Sequence, residues 1–255
     1  MKAAVIIPAR YASTRFPAKL LAPDPAGKPL IQHTWEAAQR AERVERVVVA
    51  TDDERIADAV RAFGGEACMT AAEHACGSDR CAEVARDLDH DVIVNLQGDE
   101  PNLPADLIHQ TLALLEADAE AAIATLATRI TEPAEYEDPS VVKVVLGEKS
   151  RALYFSRWAV PYVRGAEDPL SQSPVPHLRH HGIYAFRRPA LLDFARLGPH
   201  PLEQAESLEQ LRALAHGYII SVGITTHRTL KVDTPEDYAA FFKAIQSREG
   251  RDNKG

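Results

Sequence analysis

The chain has 255 residues, of which 45% are hydrophobic and 26% are charged, so it can bury a sizeable core beneath an ordinary soluble surface. Its formal charge of −8 and pI near 5.7 argue against a nucleic-acid-binding surface, which would need clustered excess Lys and Arg. No stretch approaches the roughly 20 apolar residues that span a bilayer, and the first apolar run is interrupted by Pro8 and Arg10, unlike a signal peptide. We therefore expect a cytoplasmic protein with no membrane insertion and no nucleic-acid partner.

The first half of the chain alternates continuous apolar runs, typical of buried parallel strands, with segments of helical periodicity. In chain order, the predicted elements are strand 3–8, helix 29–43, strand 46–51, helix 54–63, strand 67–70, helix 78–88, strand 91–96 and helix 104–117. This alternation predicts an α/β fold of the doubly wound βαβ type.

The alternation loosens in the second half, where strands follow one another with fewer helices between them. The predicted elements are strands 121–128, 141–146, 152–156 and 182–186, a mobile surface loop 163–176, helix 202–216, strand 219–224, helix 235–247 and a frayed tail 248–255. Part of the sheet should therefore be antiparallel or mixed. No repeat or linker demands independent domains, so we expect a single domain over residues 1–255.

A basic loop follows the first predicted strand, in the sequence IIPARYASTRFPAKLL at residues 6–21. Arg10, Arg15 and Lys19 can converge on one multiply charged anion if the segment wraps around it. Arg offers paired donors to phosphate oxygens and Lys offers a mobile point charge. A solvated basic loop is the alternative. Its position after the first strand, where open α/β sheets bind ligands, favours a polyphosphate site.

Two aspartates are predicted at strand ends, where a carboxylate can hold a hard cation that bridges phosphate oxygens. Asp99 lies in QGDEP after strand 91–96, and Asp233 lies in KVDTPED before the last helix. The alternatives are a turn residue for Asp99 and a helix N-cap for Asp233. The chain contains neither GxxxxGK[ST] nor GxGxxG, which disfavours a P-loop kinase or a nicotinamide dehydrogenase. The basic loop and the two strand-end aspartates fit a magnesium-assisted nucleotidyl transfer.

The cysteines indicate a reducing compartment. Cys68, Cys76 and Cys81 are too few for a disulfide framework, and their spacings match no zinc ribbon or finger. His74 completes a zinc site only as a minor alternative, so we expect reduced, partly buried thiols.

Eight segments in one order resemble the 3-deoxy-manno-octulosonate cytidylyltransferases, or CMP-Kdo synthetases, from about residue 5 to residue 242. They are IIPARYASTRFPAKLL, ATDD, NLQGDEP, VVKVVL, ALYFSR, RHHGIYAFR, PLEQAESLEQLR and VDTPEDY. The first motif indicates only the wider sugar-nucleotidyltransferase superfamily, whereas NLQGDEP with GIYAFR and LEQLR is specific to this member. The resemblance implies that CTP and Kdo react to CMP-Kdo and pyrophosphate, for lipopolysaccharide biosynthesis in Gram-negative bacteria.

The resemblance also implies a Rossmann-like, mainly parallel mixed sheet of the nucleotidyltransferase, GT-A-like type, with a smaller dimerisation and sugar-binding subregion. The nucleotide-binding half would span about 1–120, the sugar-binding and dimerisation region about 121–225, and a closing segment 226–247. We expect a homodimer through 141–146 and 152–155, which carry more apolar surface than one small sheet needs.

Site residues carried over from the family divide into four groups. Lys19, Asp99 and Asp233 would be catalytic, and the two aspartates would bind Mg²⁺. The nucleotide would contact Arg10, Arg15, Lys19, Gly77, Ser78 and Arg80. The acid sugar would contact Gln97, Arg157, Arg164, His180, Tyr184, Glu209 and Gln210. An octulosonate suits this set because its carboxylate fits an Arg fork and its hydroxyls fit Gln, Glu, His and Tyr.

Without the resemblance, several of these residues have structural interpretations. His180 and Tyr184 share one strand face and would be packed residues, and Glu209 would be a solvated side chain on an amphipathic helix. Arg157 and Arg164 would be surface ion-pair partners.

The chain departs from the usual family pattern at four positions. Ala18 and Lys231 stand where Gly is usual, and Cys76 and Ser78 stand where Ser and Thr are usual. A positive φ at Ala18 would strain the basic loop, and Lys231 would bring a cation beside a metal carboxylate.

Three functional alternatives remain from the sequence. A cytidylyltransferase could act on another acid sugar, either an amino-Kdo analogue or a sialic acid. A non-catalytic nucleotide-binding protein is disfavoured by the intact Lys19, Asp99 and Asp233. A GT-A glycosyltransferase would carry a DxD-type motif at the strand end, where this chain has QGDEP.

Overall fold

The computed structural model describes residues 1–12 and 16–252. The strands are β1 (Ala3–Ala9), β2 (Val44–Thr51), β3 (Glu66–Met69), β4 (Val92–Leu96), β5 (Ile123–Arg129), β6 (Lys143–Leu146), β7 (Ala152–Ser156), β8 (Leu178–Arg187) and β9 (Ile220–Ile224). The helices are α1 (Leu30–Gln39), α2 (Glu54–Ala62), α3 (Gly77–Ala85), α4 (Ala105–Ala117), α5 (Pro133–Glu137), α6 (Pro169–Gln172), α7 (Arg188–Phe194), α8 (Pro201–Glu206), α9 (Gln210–Ala215) and α10 (Pro235–Asp252). Short 3₁₀ helices form at Lys19–Leu21 and Glu148–Ser150.

The chain divides into two compact units. The first, here called the terminal unit, comprises Lys2–Leu88, Asn95–Ala105 and Thr229–Gly255. The second, here called the central unit, comprises Met1, Asp89–Val94 and Asp106–Arg228.

The terminal unit contains a parallel sheet in the order β3-β2-β1. The residues of β1 form this sheet because their side chains are almost all apolar, and Ala3 to Ile7 are completely buried. Helices α1, α2 and α3 pack against these strands. This parallel βαβ arrangement confirms the fold class expected for the first half of the chain.

The central unit contains a mixed sheet in the order β8-β5-β9, in which β5 pairs antiparallel with β8 and parallel with β9. Strand β6 pairs antiparallel with both β7 and β8. The prediction of antiparallel or mixed pairing in the second half is confirmed. Its physical basis is that β6 and β7 are joined by a short turn, which suits antiparallel neighbours.

The single helix predicted over 202–216 is wrong, because the chain forms two short helices, α8 and α9, at this place. Ser207 adopts a left-handed conformation with φ of 52°, which ends α8. Arg212 of α9 then donates to the carboxylate of Glu203 on α8 at 2.5 and 2.8 Å. The hydrophobic periodicity continues through the break, so the pattern alone does not reveal it.

Other boundaries also differ from the sequence expectation. The loop 163–176 contains one helical turn, α6, which Asp168 caps by accepting from the backbone N–H of Leu170 at 3.1 Å. Helices α5 and α7 were not predicted, although each has a proline in its first turn. Helix α10 continues to Asp252, whereas the helix was predicted to end at residue 247. The end of the predicted tail, 253–255, lies outside the described residues.

The buried histidine of β8 makes stability depend on pH. His181 is 2% exposed and hydrogen bonds with Thr128. Burial, helped by Arg179 and Arg228, lowers the pKa of His181 from 6.5 to about 4. Below pH 6.5 the unfolded state therefore binds a proton at this histidine more readily than the folded state does. The unfolding free energy is highest above pH 6.5 and falls as the pH drops towards 4.

We expect the unfolding free energy to fall by about 2 kcal/mol between about pH 7.5 and pH 5 on account of this group alone. Urea unfolding at both pH values measures it. His181→Gln should remove that part of the pH dependence, whereas His227→Gln, at a side chain 44% exposed, should retain it. An equal pH dependence in wild type and His181→Gln would contradict the assignment.

Candidate functional site

A cavity of about 410 Å³ opens in the terminal unit, at the carboxyl end of β1. Its size is within the range of small-ligand sites. It is lined by Pro8, Arg10, Ala12, Lys19, Leu20, Ala75, Cys76, Gly77, Gln97, Gly98, Asp99 and Asp233. Gly98 allows a close approach, since an added Cβ would come within 3.3 Å of the Pro8 carbonyl oxygen. The cavity therefore combines backbone surfaces with a few charged groups.

The basic loop reaches the cavity through a strained turn. Ala18 precedes the 3₁₀ helix with φ of 54°, in the left-handed region that favours glycine. Ala18 thus has the positive φ that was considered from the sequence, and this conformation is less favourable for alanine than for glycine. This turn directs Lys19 into the cavity, where the side chain is 12% exposed.

Lys19 joins the two strand-end aspartates. Its Nζ lies 2.7 Å from Asp99 Oδ2 and 2.9 Å from Asp233 Oδ1, and it also donates to the Val232 carbonyl at 2.9 Å. The backbone N–H of Val232 donates to the Asp99 carbonyl, which ties the two loops together. Two carboxylates distant in the chain therefore share one ammonium group.

Asp99 lies in the turn after β4, whereas Asp233 does not act mainly as the helix cap of α10. Thr234 and Asp237 cap α10, because the Asp237 carboxylate accepts from the N–H groups of Asp233 and Thr234 and the Thr234 hydroxyl accepts from Asp237 N–H. Burial raises the pKa of Asp233, but Lys231 and Lys19 outweigh it and hold the pKa at about 2. Asp233 thus stays ionised throughout the neutral range.

The two carboxylates fit part of a metal site. Asp99 Oδ1 is buried and has no hydrogen-bond partner among the described residues, so the lone pairs of this oxygen are left unsatisfied. Within residues 1–12 and 16–252, no three His, Cys, Asp or Glu side chains converge as a complete metal site would. Magnesium commonly takes one or two carboxylates and completes its shell with substrate phosphates and water.

The other predicted nucleotide residues differ in their surroundings. Arg10 lines the cavity and donates to the His74 carbonyl at 2.7 Å, and Gly77 also lines it. Ser78 and Arg80 are completely buried and are absent from the cavity lining. Arg15 lies outside the described residues.

Polar partners hold the two buried residues of α3. The Arg80 guanidinium donates to Asp52 at 3.0 Å and to Thr70, and the Ser78 hydroxyl accepts from Asn95 at 3.1 Å. A direct contact of Ser78 or Arg80 with nucleotide therefore stays a prediction. Asp52 and Asn95 were not predicted as site residues, although they lie in the segments ATDD and NLQGDEP that carry the family resemblance.

Among the predicted sugar residues, only Gln97 belongs to the terminal unit, where it lines the cavity. The other six belong to the central unit. They are Arg157, Arg164, His180, Tyr184, Glu209 and Gln210. Their role in sugar binding stays a prediction.

His180 and Tyr184 stack on one face of β8, with ring centroids 5.2 Å apart. Burial and the neighbouring His181 lower the pKa of His180 to about 3, so the ring is neutral. Its Nε2 lies 3.1 Å from the Thr125 hydroxyl. Arg164 is exposed and Gln210 is buried.

Arg157 is fixed by backbone carbonyls rather than by a surface ion pair. Its guanidinium donates to the carbonyls of Glu206 at 2.7 Å, Pro139 at 3.1 Å and Ser207 at 3.3 Å. Its own N–H donates to the Glu206 carboxylate at 2.9 Å. The planar fork is therefore oriented before any ligand binds.

The sequence reasoning missed Lys143, a completely buried lysine that supports Arg157. Its Nζ donates to the carbonyls of Asp138, Val141 and Arg157 at 2.7, 2.8 and 2.8 Å. Burial lowers the pKa of Lys143, and the nearby carboxylates of Asp138 and Glu206 offset part of that cost. A lysine inside the valine run VVKVV was the available signal.

Lys143→Met should lower the unfolding free energy by about 3 kcal/mol, because three buried carbonyls lose a charged donor. Urea unfolding measures the change. The matched control is Lys149→Met, in the same unit at a side chain 70% exposed, which should change little. An unchanged unfolding midpoint in Lys143→Met would show that the ammonium group adds no stability.

The chain is similar to known proteins over most of its length. A family model described as Cytidylyltransferase matches residues 4–225. The 3-deoxy-manno-octulosonate cytidylyltransferase of Geobacter metallireducens is 49% identical over 242 residues, which cover 93% of this chain and 95% of that protein. The protein of the same name from Geotalea daltonii is 46% identical over 253 residues, covering 97% and 100% of the two chains.

A solved structure of CMP:2-keto-3-deoxy-manno-octonic acid synthetase complexed with CTP is also similar. It is 42% identical, covers 98% of this chain and 100% of its own, and superposes with a TM-score of 0.88. Because the family model matches most of the chain and the relatives match nearly all of it, the chain belongs to the 3-deoxy-manno-octulosonate cytidylyltransferase family.

Proposed function

We propose that the protein is a magnesium-dependent cytidylyltransferase that converts CTP and Kdo into CMP-Kdo and pyrophosphate. The observation that carries the proposal is the Lys19 ammonium shared between Asp99 and Asp233 in the cavity of the terminal unit. The names of the relatives and the CTP complex of the similar structure support the same substrates.

In the proposed reaction, a hydroxyl oxygen of the sugar attacks the α-phosphorus of CTP and loses its proton to solvent, and the bond to the departing pyrophosphate breaks. Negative charge gathers on the phosphate oxygens during this step. Lys19 and Arg10, both on the cavity wall, are placed to neutralise that charge and to hold the triphosphate in position. The protein supplies orientation and charge rather than a covalent intermediate.

Asp99 and Asp233 would hold the magnesium ion. When bound, the ion would supply further neutralisation of the phosphate charge and would fix the geometry of the triphosphate. The buried Oδ1 of Asp99, which has no hydrogen-bond partner in the part of the chain that the structure describes, supports this assignment. Lys19 contacts both carboxylates and holds them close together without the ion.

We propose further that the six predicted residues of the central unit and Gln97 bind the acid sugar. The rigid fork of Arg157 matches a carboxylate, and the neutral ring of His180 with the Tyr184 hydroxyl suits sugar hydroxyls. An amino-Kdo analogue or a sialic acid would present the same groups, so these sugars are the alternative substrates.

The experiment that tests the function is pyrophosphate release by purified protein with magnesium, pairing CTP, UTP and ATP with Kdo, an amino-Kdo analogue and N-acetylneuraminate. We expect turnover with CTP and Kdo, lost on chelation. Turnover with another sugar in place of Kdo would identify that sugar as the substrate. Silence with every pair, in protein that still binds CTP, would favour a nucleotide-binding protein and overturn the proposal.

We also propose a homodimer formed through the central unit. Val144 and Phe155, in the segments expected to form the interface, are completely buried inside the unit and are unsuitable for an interface. Leu153 on β7 is instead 63% exposed, since alternate side chains of a strand face opposite ways. Leu153 is therefore the residue of these segments that we propose for the contact between copies.

Leu153→Glu is therefore expected to convert a dimer into a monomer, as measured by gel filtration with light scattering. Leu202→Glu, at an apolar side chain 41% exposed on α8, serves as the matched control and should leave the mass unchanged. A monomeric wild type would reject the dimer outright.

We propose a cytoplasmic enzyme of lipopolysaccharide biosynthesis. Among the described residues, none of the helices has the length and apolar character needed to cross a membrane. Among the described residues no cysteine forms a disulfide, which suits a reducing compartment.

A further inference from the structure

A second lysine approaches the aspartate pair. Lys231 lies two residues before Asp233, and its Nζ is 3.2 Å from Asp233 Oδ2 and 3.9 Å from Asp99 Oδ2. The cavity carboxylates thus face two ammonium groups, from Lys19 and Lys231.

The two lysines make the aspartate pair electrically neutral. With Lys19 alone, the pair would keep one net negative charge that attracts a dication. With Lys231 as well, a metal ion must displace or repel an ammonium group before it can use both carboxylates. Lys231 should therefore weaken metal binding to the nucleotide-free protein.

The two lysines differ in how firmly they are held. Lys19 is 12% exposed and bonds to Asp99, Asp233 and the Val232 carbonyl. Lys231 has a side chain 49% exposed and contacts the carboxylates from the solvent side. A long side chain of that kind can turn outward at little cost in packing.

We propose that Lys231 is a counter-ion that occupies the metal position at Asp99 and Asp233 in the free protein and moves to the triphosphate when nucleotide and metal bind. The metal then enters together with CTP rather than before it. A nucleoside triphosphate still carries net negative charge when a magnesium ion is bound, so the displaced ammonium group gains a new partner. The inference rests on the proposed function, because it takes the aspartates as metal ligands.

The first test measures metal binding without nucleotide, using Mn²⁺ as the probe and the paramagnetic resonance signal of free Mn²⁺ as the readout. We expect Lys231→Ala to bind Mn²⁺ about tenfold more tightly than wild type, because one competing charge is removed. Lys231→Arg keeps the charge and should resemble wild type. Asp99→Asn added to Lys231→Ala should abolish the gain.

The second test measures CTP binding by calorimetry at saturating magnesium and without sugar, because Lys231 is proposed to leave the carboxylates only when metal binds. We expect Lys231→Ala to bind CTP about tenfold more weakly than wild type, because an ammonium partner of the phosphates is lost. Lys28→Ala removes one charge from an ion pair with Glu36 in the same unit, so it controls for net charge and should change neither affinity. Thermal unfolding checks that each variant is folded.

Equal Mn²⁺ affinity in wild type and Lys231→Ala would overturn the inference, as would CTP binding that does not depend on Lys231. Neither measurement requires turnover. Protein that shows both expected changes but forms no CMP-sugar would keep this inference and reject the proposed function. CMP-sugar formation by the wild type, with equal Mn²⁺ affinity in wild type and Lys231→Ala, would keep the proposed function and reject this inference.

Discussion

Asp99→Asn is expected to lower kcat/KM for CMP-Kdo formation by about 1,000-fold, which corresponds to about 4 kcal/mol of transition-state stabilisation. Asn keeps the size of the side chain but offers no negative charge to a cation. The buried Oδ1 that has no hydrogen-bond partner among the described residues would become a neutral amide atom. Pyrophosphate release over a range of magnesium concentrations measures the loss, and excess magnesium should restore little of it.

The matched control for this change is Asp58→Asn, on α2 of the same unit at a side chain 73% exposed. It removes the same charge outside the cavity and should retain nearly full activity. Thermal unfolding separates lost chemistry from lost fold. If folded Asp99→Asn keeps wild-type kcat/KM, the aspartate is not a metal ligand.

Lys19→Met should lower kcat/KM for CTP by about 100-fold, with most of the loss in KM, because the triphosphate loses its most firmly held cation. The side chain keeps its length, but Asp99 and Asp233 then face each other with only Lys231 between them. Initial rates against CTP concentration separate the effects on KM and kcat.

Lys19→Arg is expected to recover little activity. The Lys19 ammonium serves three acceptors at 2.7 to 2.9 Å, which a planar guanidinium cannot reproduce in the same space. Lys28→Met, in the surface ion pair of the same unit, is the control and should leave kinetics unchanged. A normal KM for CTP in Lys19→Met would remove this lysine from the proposed nucleotide site.

Much of the fold could be predicted from local pattern. The apolar runs that become β1 and β2 are recognisable because a strand buried on both faces has apolar residues at every position. The break between α8 and α9 was missed because it depends on the left-handed conformation of one residue, Ser207. The hydrophobic spacing on both sides of Ser207 is that of one continuous helix. The ion pair between Arg212 and Glu203, which holds the turn, is a contact between helices.

The candidate site was recognisable by residue type, but its arrangement was not. A basic loop after a strand and carboxylates at strand ends were visible in the sequence. The sequence left open whether Asp233 caps α10, and the structure shows that Thr234 and Asp237 perform that role. Arg80, which the resemblance assigns to the nucleotide, is buried against Asp52, and its contact with nucleotide stays a prediction.

By itself, the sequence determined the α/β class, the order of most elements and the chemical character of the basic loop after β1. These depend on residues close together in the chain, whose hydrophobic spacing and turn preferences act locally. Only the tertiary structure decided that Lys19 joins Asp99, 80 positions away, and Asp233, 214 positions away, and that Lys231 reaches the same pair. Such contacts are fixed by which strands are neighbours and where their loops end, and no local pattern encodes those distances.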